Sequence, residues 1–410
     1  MSLSTLAERI LESARQLDKR GVVDLDSKLG FRNMTPADFR SRASLLTALQ
    51  ELERLARGPM ESVWALGFAG SVQVISLHAI ARHEIPLHVP DGGISFAALA
   101  AKAKMDEQAL TRLVRHAVAY GVFRETEQGF ITHTPMSKLM RDDEDWLDAA
   151  KWATEDNWSI AVRAVDALER WPGSHKPTET AFNLSRDTSD TFFEHLAKFP
   201  QKLKTLSGHF RAVSALPSHR PDDLSRSRLW REIDVPRATL VDVGGNYGDV
   251  SMQIAQATNN IRVTVQDRPE KVRLGEDCLP AEYRDRISFQ PHDLFMEQPL
   301  KGADVYFLRK ILHEWADPVC VQILRNLVPA LKDGARVVLY ERILSDRPEP
   351  TCDERDSRCL DLVMLMSLNG RERSQSDWKK LFGEVDQRFE LDFERHESSA
   401  HGLIIATWKP

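Results

Sequence analysis

Residues Leu240 to Asp249 read LVDVGGNYGD, a β-branched apolar run that stops at Gly244, Gly245 and Gly248 before the helical pattern DVSMQIAQA begins. Such a run predicts a buried strand, and its glycines let bare backbone approach a ligand at the N-terminus of the next helix. The same alternation continues downstream: IRVTVQD and a helix, ISFQPHD, ADVYFLR and a helix through PVCVQILRNLVPALKDG, ARVVLYERIL, two more helices, then ELDFERH and LIIATWK. Strands alternating with helices predict an α/β domain, doubly wound and Rossmann-like, with its ligands at the carboxyl ends of the strands.

The glycine turn suits several nucleotide ligands, but it is not the dinucleotide fingerprint, because Val243 stands where GxGxxG needs its first glycine. Asp267 ends the second strand, 25 residues after Asp242, where a carboxylate accepts both hydroxyls of a ribose or simply caps the helix at Pro269. Asp293 ends the third strand in PHDLF, where Leu294 and Phe295 can cover an adenine face. After the fourth comes LRKILHEWAD, residues 308–317, which sets His313 and an acidic neighbour where the apolar run ends. Alone, that stretch is accounted for by a helix capped by Asp317 and Pro318.

At 410 residues the chain is too long for one ordinary core. The polar, Pro-bounded segment SHRPDDLSRSRLWREIDVP places a boundary near residue 222, giving domains 1–222 and 223–410. The first twenty residues carry Glu8, Arg9, Glu12 and Arg15 among helically spaced apolar side chains and are no signal peptide. From Pro36 to Glu84 the pattern stays helical, and the uncharged segment Ser62 to Ala81 is long enough to span a bilayer. Gly67, Gly70, Ser71, Gln73 and His78 within it favour a buried helix, so no membrane is expected.

Residues 94–141 read as helix, turn, helix and two short strands around Glu127, Gln128 and Gly129, the outline of a winged helix. A DNA-binding regulator is the sharp reading of that shape. Yet the segment holds seven Lys/Arg against four Asp/Glu, and the whole chain has a net charge of -6, so a structural or dimerising role fits better and no nucleic acid is expected. Cys278, Cys320, Cys352 and Cys359 show no CxxC pair, which argues against zinc and disulfides and suits a reducing, cytoplasmic location.

Together DxGGxxG, the ribose Asp267, Asp-Leu-Phe at 293–295 and His-Glu-Trp at 313–315 resemble the class I S-adenosylmethionine-dependent methyltransferases. More narrowly, the chain is similar to the plant-type small-molecule O-methyltransferases and their fungal secondary-metabolite relatives. The resemblance implies an N-terminal helical, winged-helix dimerisation domain, and hence a homodimer. It also implies S-adenosylmethionine as donor, S-adenosylhomocysteine (SAH) as product, and as acceptor a phenol, enol or N-hydroxyl of a bulky aromatic polyketide or alkaloid. By the same resemblance Asp242, Gly244, Gly245, Asp267, Asp293, Leu294, Arg309 and Trp315 line the cofactor site, with Arg309 where many relatives carry lysine. His313 matches the general base, and Glu341 in YERIL and Glu372 in GRERS match its flanking carboxylates. No metal is implied. For the acceptor walls, Met364, Met366, Leu368 and Asn369 match one side, and Trp158 and Phe182 are the expected opposite side.

The chemistry suits these residue types. A neutral imidazole accepts a hydroxyl proton while a carboxylate on its other nitrogen fixes the tautomer and stabilises the imidazolium. Some relatives of this fold hold the cofactor yet catalyse pericyclic or dehydrative reactions, and the intact histidine and glutamates argue for methyl transfer instead.

Overall fold

The computed structural model describes residues 2–24, 27–28, 30–127, 129–216, 224, 227–395 and 401–409. The boundary expected near residue 222 and Gln128 of the wing lie outside the described residues. Two compact units emerge: Met1–Asp166 with Ala181–Leu216, and Ala167–Thr180 with Pro217–Pro410. The split therefore differs from a single cut, because the segment 167–180 joins the second unit. Asn369 accounts for this, its side-chain amide donating to the backbone carbonyls of Lys176 (2.7 Å) and Glu179 (3.0 Å).

In the first unit the helix Leu3–Arg20 packs along the helix Pro36–Trp64, which opens with a Thr35–Asp38 capping box and Pro36. Gly58 (φ 67°) and Pro59 kink that helix, a π turn follows at Ala65–Ala69, and Gly70–Arg82 continues it. The whole run Pro36–Arg82 is long and apolar enough to cross a membrane. Contrary to expectation, much of its apolar segment is not buried within the chain: Leu66 is 84% exposed, and Met60, Val63, Trp64 and Phe68 are exposed too. The physical reason is coverage. Helices Glu107–Ala119 and Glu144–Lys151 pack one face of Gly70–Arg82, burying Ser76, Ile80 and Ala81, and leave residues 60–68 bare.

The winged helix forms as read: strands β1 (Ile94–Ser95), β2 (Phe123–Glu127) and β3 (Phe130–His133) make an antiparallel sheet of order β1-β3-β2 beside the helices Phe96–Ala103 and Glu107–Ala119. Arg115 of the second helix is bound to Glu125 of the wing at 2.8 Å and lies over the Phe96 ring. His133 is a satisfied structural group, its ring nitrogens bonded to Ser137 and to the Val89 carbonyl.

The second unit is built on β4 (Thr239–Val243), β5 (Arg262–Asp267), β6 (Ile287–Pro291), β7 (Val305–Arg309), β8 (Arg336–Leu344), β9 (Arg373–Ser374), β10 (Phe389–Arg395) and β11 (His401–Trp408). Their order is β10-β11-β8-β7-β4-β5-β6, parallel from β8 to β6, with β11 antiparallel to β8 and β10 to β11, and β9 pairs parallel to the end of β8. Strand order reverses between β4 and β7, the topological switch point at which such sheets bind ligands. Side chains of β4 alternate between two apolar layers: Val241 and Val243 pack with the helices Asp317–Leu327 and Gln375–Val385, Leu240 with Val250 and Ile254. The same period turns Asp242 toward the helix Asp249–Ala257.

Candidate active site

The glycine turn after β4 tolerates no side chain. A Cβ on Gly244 (φ 77°) would lie 2.6 Å from the Ile311 side chain, and one on Gly245 would lie 2.6 Å from the Asp242 carboxylate. Both glycine N–H groups donate to the Gln266 carbonyl, at 2.7 and 3.2 Å, which draws the turn toward β5. Asp267 receives the Asn246 N–H at 2.9 Å and stays half-buried at the rim. A bare backbone cradle with a carboxylate on its rim fits the nucleoside end of S-adenosylmethionine. Asp242 is buried, accepts from Ser251 Oγ at 2.6 Å, and is pushed up to about 6 by that burial, against the pull of Ser251 and Arg309. We predict that Gly245→Ala weakens SAH binding by about ten- to a hundredfold, the cost of one overpacked methyl, in a calorimetric titration.

Asp293 caps its own turn by accepting from the Phe295 N–H at 3.0 Å. Phe295 meets Trp315 edge-on at 5.1 Å, and both pack with Leu294 against the core. Arg309 lies 5.9 Å over the Tyr340 ring with its buried Nε unpartnered among the described residues.

Around His313 the chain converges from three places. β8 delivers Glu341, fully buried, whose Oε1 accepts from the backbone N–H of Ile311 (3.0 Å) and Leu312 (2.9 Å) and so fixes the turn that carries the histidine. β9 pairs with β8 at Ile343–Arg373, which sets the preceding Glu372 beside Glu341. His313 Nδ1 is 2.8 Å from Glu372 Oε1, and ligand atoms of all three side chains lie within 4.8 Å of one another. Burial, the largest influence on the imidazole, pushes its pKa down; Glu341 and Glu372 outweigh it and hold the value up at about 9. Burial in turn raises Glu341, with His313 opposing.

This spacing would also suit a metal ion. Glu341 Oε1 is bonded to backbone and His313 Nδ1 to Glu372 Oε1, and Lys310 and Arg342 add positive charge nearby.

Three neighbours had no role assigned from the sequence. Glu314 is pushed up to about 7, by burial first and then by Glu341 and Asp267, against His313. Lys310 follows β7 in a left-handed conformation. Arg373 is fully buried and donates to the carbonyls of Leu312 (2.9 Å), Trp315 (2.8 Å) and Arg371 (3.2 Å) and to Asp317 (2.8 Å). Only the cluster of arginines in GRERS signals it, and nothing in that string separates Arg373 from its exposed-looking neighbours. Gly370 is equally constrained, since a Cβ there would lie 2.2 Å from the His313 carbonyl.

Of the expected acceptor residues, Met364, Met366, Leu368 and Asn369 lie on or just after the helix Cys352–Leu368. Met366 is buried, and Asn369 is a C-cap at φ 54° whose amide holds the segment 167–180. Trp158 and Phe182 belong to the first unit. Trp158 follows a π turn and meets His78 edge-on at 6.5 Å. Phe182 is 1% exposed, packed on Phe192 and His195, so it is a core residue rather than an open wall.

Glu372→Gln removes one of the charges that raise His313, together with its hydrogen bond. The imidazole pKa then falls from about 9 toward its ordinary value, and if His313 takes the acceptor proton the rising limb of methyl transfer against pH moves to lower pH. The rate at the plateau falls by about tenfold or more, because a neutral amide stabilises the imidazolium less well. A pH–rate profile of the variant checks both.

Compared with known proteins, residues 224–387 match the O-methyltransferase domain family. The grayanic acid biosynthesis cluster O-methyltransferase of Cladonia grayi is 34% identical over 92% of this chain and 80% of its own length. Among solved structures, OxaC in complex with SAH and oxaline superposes with a TM-score of 0.77 at 21% identity, covering 99% of both chains. A pericyclic reaction enzyme superposes with a TM-score of 0.73 at 20% identity, covering 90% of this chain and 94% of its own.

Proposed function

The chain belongs to the family of S-adenosylmethionine-dependent O-methyltransferases, and we propose that it methylates a hydroxyl of a bulky aromatic secondary metabolite, a polyketide or alkaloid, with His313 as base. One observation carries this reading: a half-buried imidazole held by fully buried Glu372 at 2.8 Å, with Glu341 beside it, next to the glycine cradle at the switch point. Glu372 engages Nδ1 and leaves Nε2 to take the acceptor proton.

A phenol near pKa ~10 facing an ordinary histidine near ~6.5 makes proton transfer uphill by roughly 5 kcal/mol. With the imidazole raised to about 9, the gap shrinks to about 1.4 kcal/mol. The imidazole must still be neutral to act. When bound, the donor supplies the electrophilic methyl and a positive sulfonium, which favours the phenolate and disfavours the imidazolium. Asp267 and the turn at Gly244–Gly245 hold the nucleoside end, and Glu341 keeps the loop of His313 in place.

Turnover with methyl-deuterated donor tests the reading. The label should appear on an acceptor oxygen, one SAH per product, by mass spectrometry. Product formed without SAH would instead identify a rearranging enzyme on the same fold.

The exposed face of residues 60–68 we read as the seat of a second copy, a homodimer. The kink at Gly58–Pro59, the π turn, and Ser62, Ser71 and Gln73 along the run suit a protein partner better than lipid. Light scattering should give twice the chain mass, and Leu66→Glu with Phe68→Glu should halve it; flotation with vesicles would contradict this.

A further inference from the structure

Lys310 is a cation that the methyl-transfer account leaves without work. It sits between the end of β7 and His313, its own backbone left-handed (φ 54°) and pinned by its N–H to the Tyr340 carbonyl at 3.1 Å. A non-glycine residue pays about 1 kcal/mol for that conformation, and such strain gathers at functional sites. The turn places the side chain in the electrostatic field of Glu341 and Glu372, the carboxylates that flank the imidazole, and of Arg309 and Arg342.

Ordinary lysines in such company form an ion pair. Lys310 has neither an ion pair nor a side-chain hydrogen bond among the described residues, and Glu341 Oε2 and Glu372 Oε2 also stand unpartnered there. Burial, with Arg309 and Arg342 reinforcing it, lowers the ammonium to about 7 against the pull of the two glutamates. A half-buried ammonium with a free head is stabilised by an anion that arrives with a ligand.

We propose that Lys310 is a specificity-determining residue of the methyl-transfer site, binding an anionic oxygen, a carboxylate or enolate, carried by the acceptor beside the hydroxyl that His313 deprotonates. The inference rests on the methyl-transfer reading for the identity of that hydroxyl. It narrows the acceptor class to hydroxylated aromatic acids and acidic β-dicarbonyl compounds, in preference to their neutral esters.

The test is calorimetric, on the full-length protein saturated with SAH, comparing 2,4-dihydroxybenzoate with its methyl ester. The acid should bind about tenfold more tightly than the ester, the worth of one charged hydrogen bond. Lys310→Met, or Lys310→Gln should the first variant misfold, should abolish that preference and leave SAH affinity unchanged; Lys310→Arg should keep it. Equal binding of acid and ester by the wild type, or a preference that survives in Lys310→Met, overturns the proposal. In a parallel turnover with S-adenosylmethionine, an acid preference accompanied by product formed without SAH would instead overturn the methyl-transfer reading and leave the role of Lys310 in binding standing.

Discussion

His313→Ala should lower single-turnover methyl transfer by about three orders of magnitude, within the range that a positioned base contributes. SAH affinity should stay within about twofold, because the glycine cradle and Asp267 lie on other strand ends. Geometry fixes the ring before electrostatics tunes it. Glu372 fixes one ring nitrogen at 2.8 Å, so the other has a defined direction. Glu341 clamps the backbone of Ile311 and Leu312, so the ring's origin is defined as well. Alanine removes the proton acceptor and leaves two buried carboxylates without their cation, which repel each other. The paired variant His313→Gln separates these effects: it keeps a side chain of comparable reach without a base, and should lose nearly as much rate.

Arg373→Met should cost about 3–5 kcal/mol, the range found when one member of a buried charged network is removed. The guanidinium satisfies the carbonyls of Leu312, Trp315 and Arg371, pairs with Asp317, and lies 5.1 Å over the Trp378 ring. Methionine fills part of the volume and takes one donor from each of three carbonyls, of which Leu312 keeps the Trp315 N–H. Hydrogen exchange across residues 311–317 should accelerate, and urea unfolding of the second unit should begin at lower concentration. Arg371 supplies the control. It pairs with Asp317 and Asp377 at 3.1 Å but is nearly half exposed, so Arg371→Met should cost under about 1 kcal/mol. Equal costs for the two variants would show that the loop is not anchored through Arg373.

The sheet was legible because its strands are apolar runs with local punctuation: LVDVGG, VQD and FLR each end where the period changes, and β4 to β8 follow. The winged helix was legible for the same reason. His313, Glu341 and Glu372, 28 and 59 residues apart in sequence from the histidine, could be grouped through the motifs around them, and the pairing of β8 with β7 and β9 brings them together. Arg373 and Lys310 were not legible. Each lies one residue from a motif position, and which of two adjacent charges turns inward is decided by strand register and by a left-handed φ, which leave no composition signal. The exposed face near Leu66 misled for a different reason: apolarity predicts burial, and it does not say whether the covering surface belongs to the same chain. Phe182 misled likewise, since an aromatic residue in a helix fits a core as well as a pocket.

The most direct test of His313 as the base is the pH dependence of single-turnover methyl transfer from S-adenosylmethionine to a phenolic acceptor, wild type beside His313→Ala. The wild type should show a rising limb governed by the imidazole, below the phenol's own ionisation near ~10, and the variant should lose that limb and follow the phenol's ionisation alone. Superimposable profiles, differing by no more than a constant factor, would contradict the assignment.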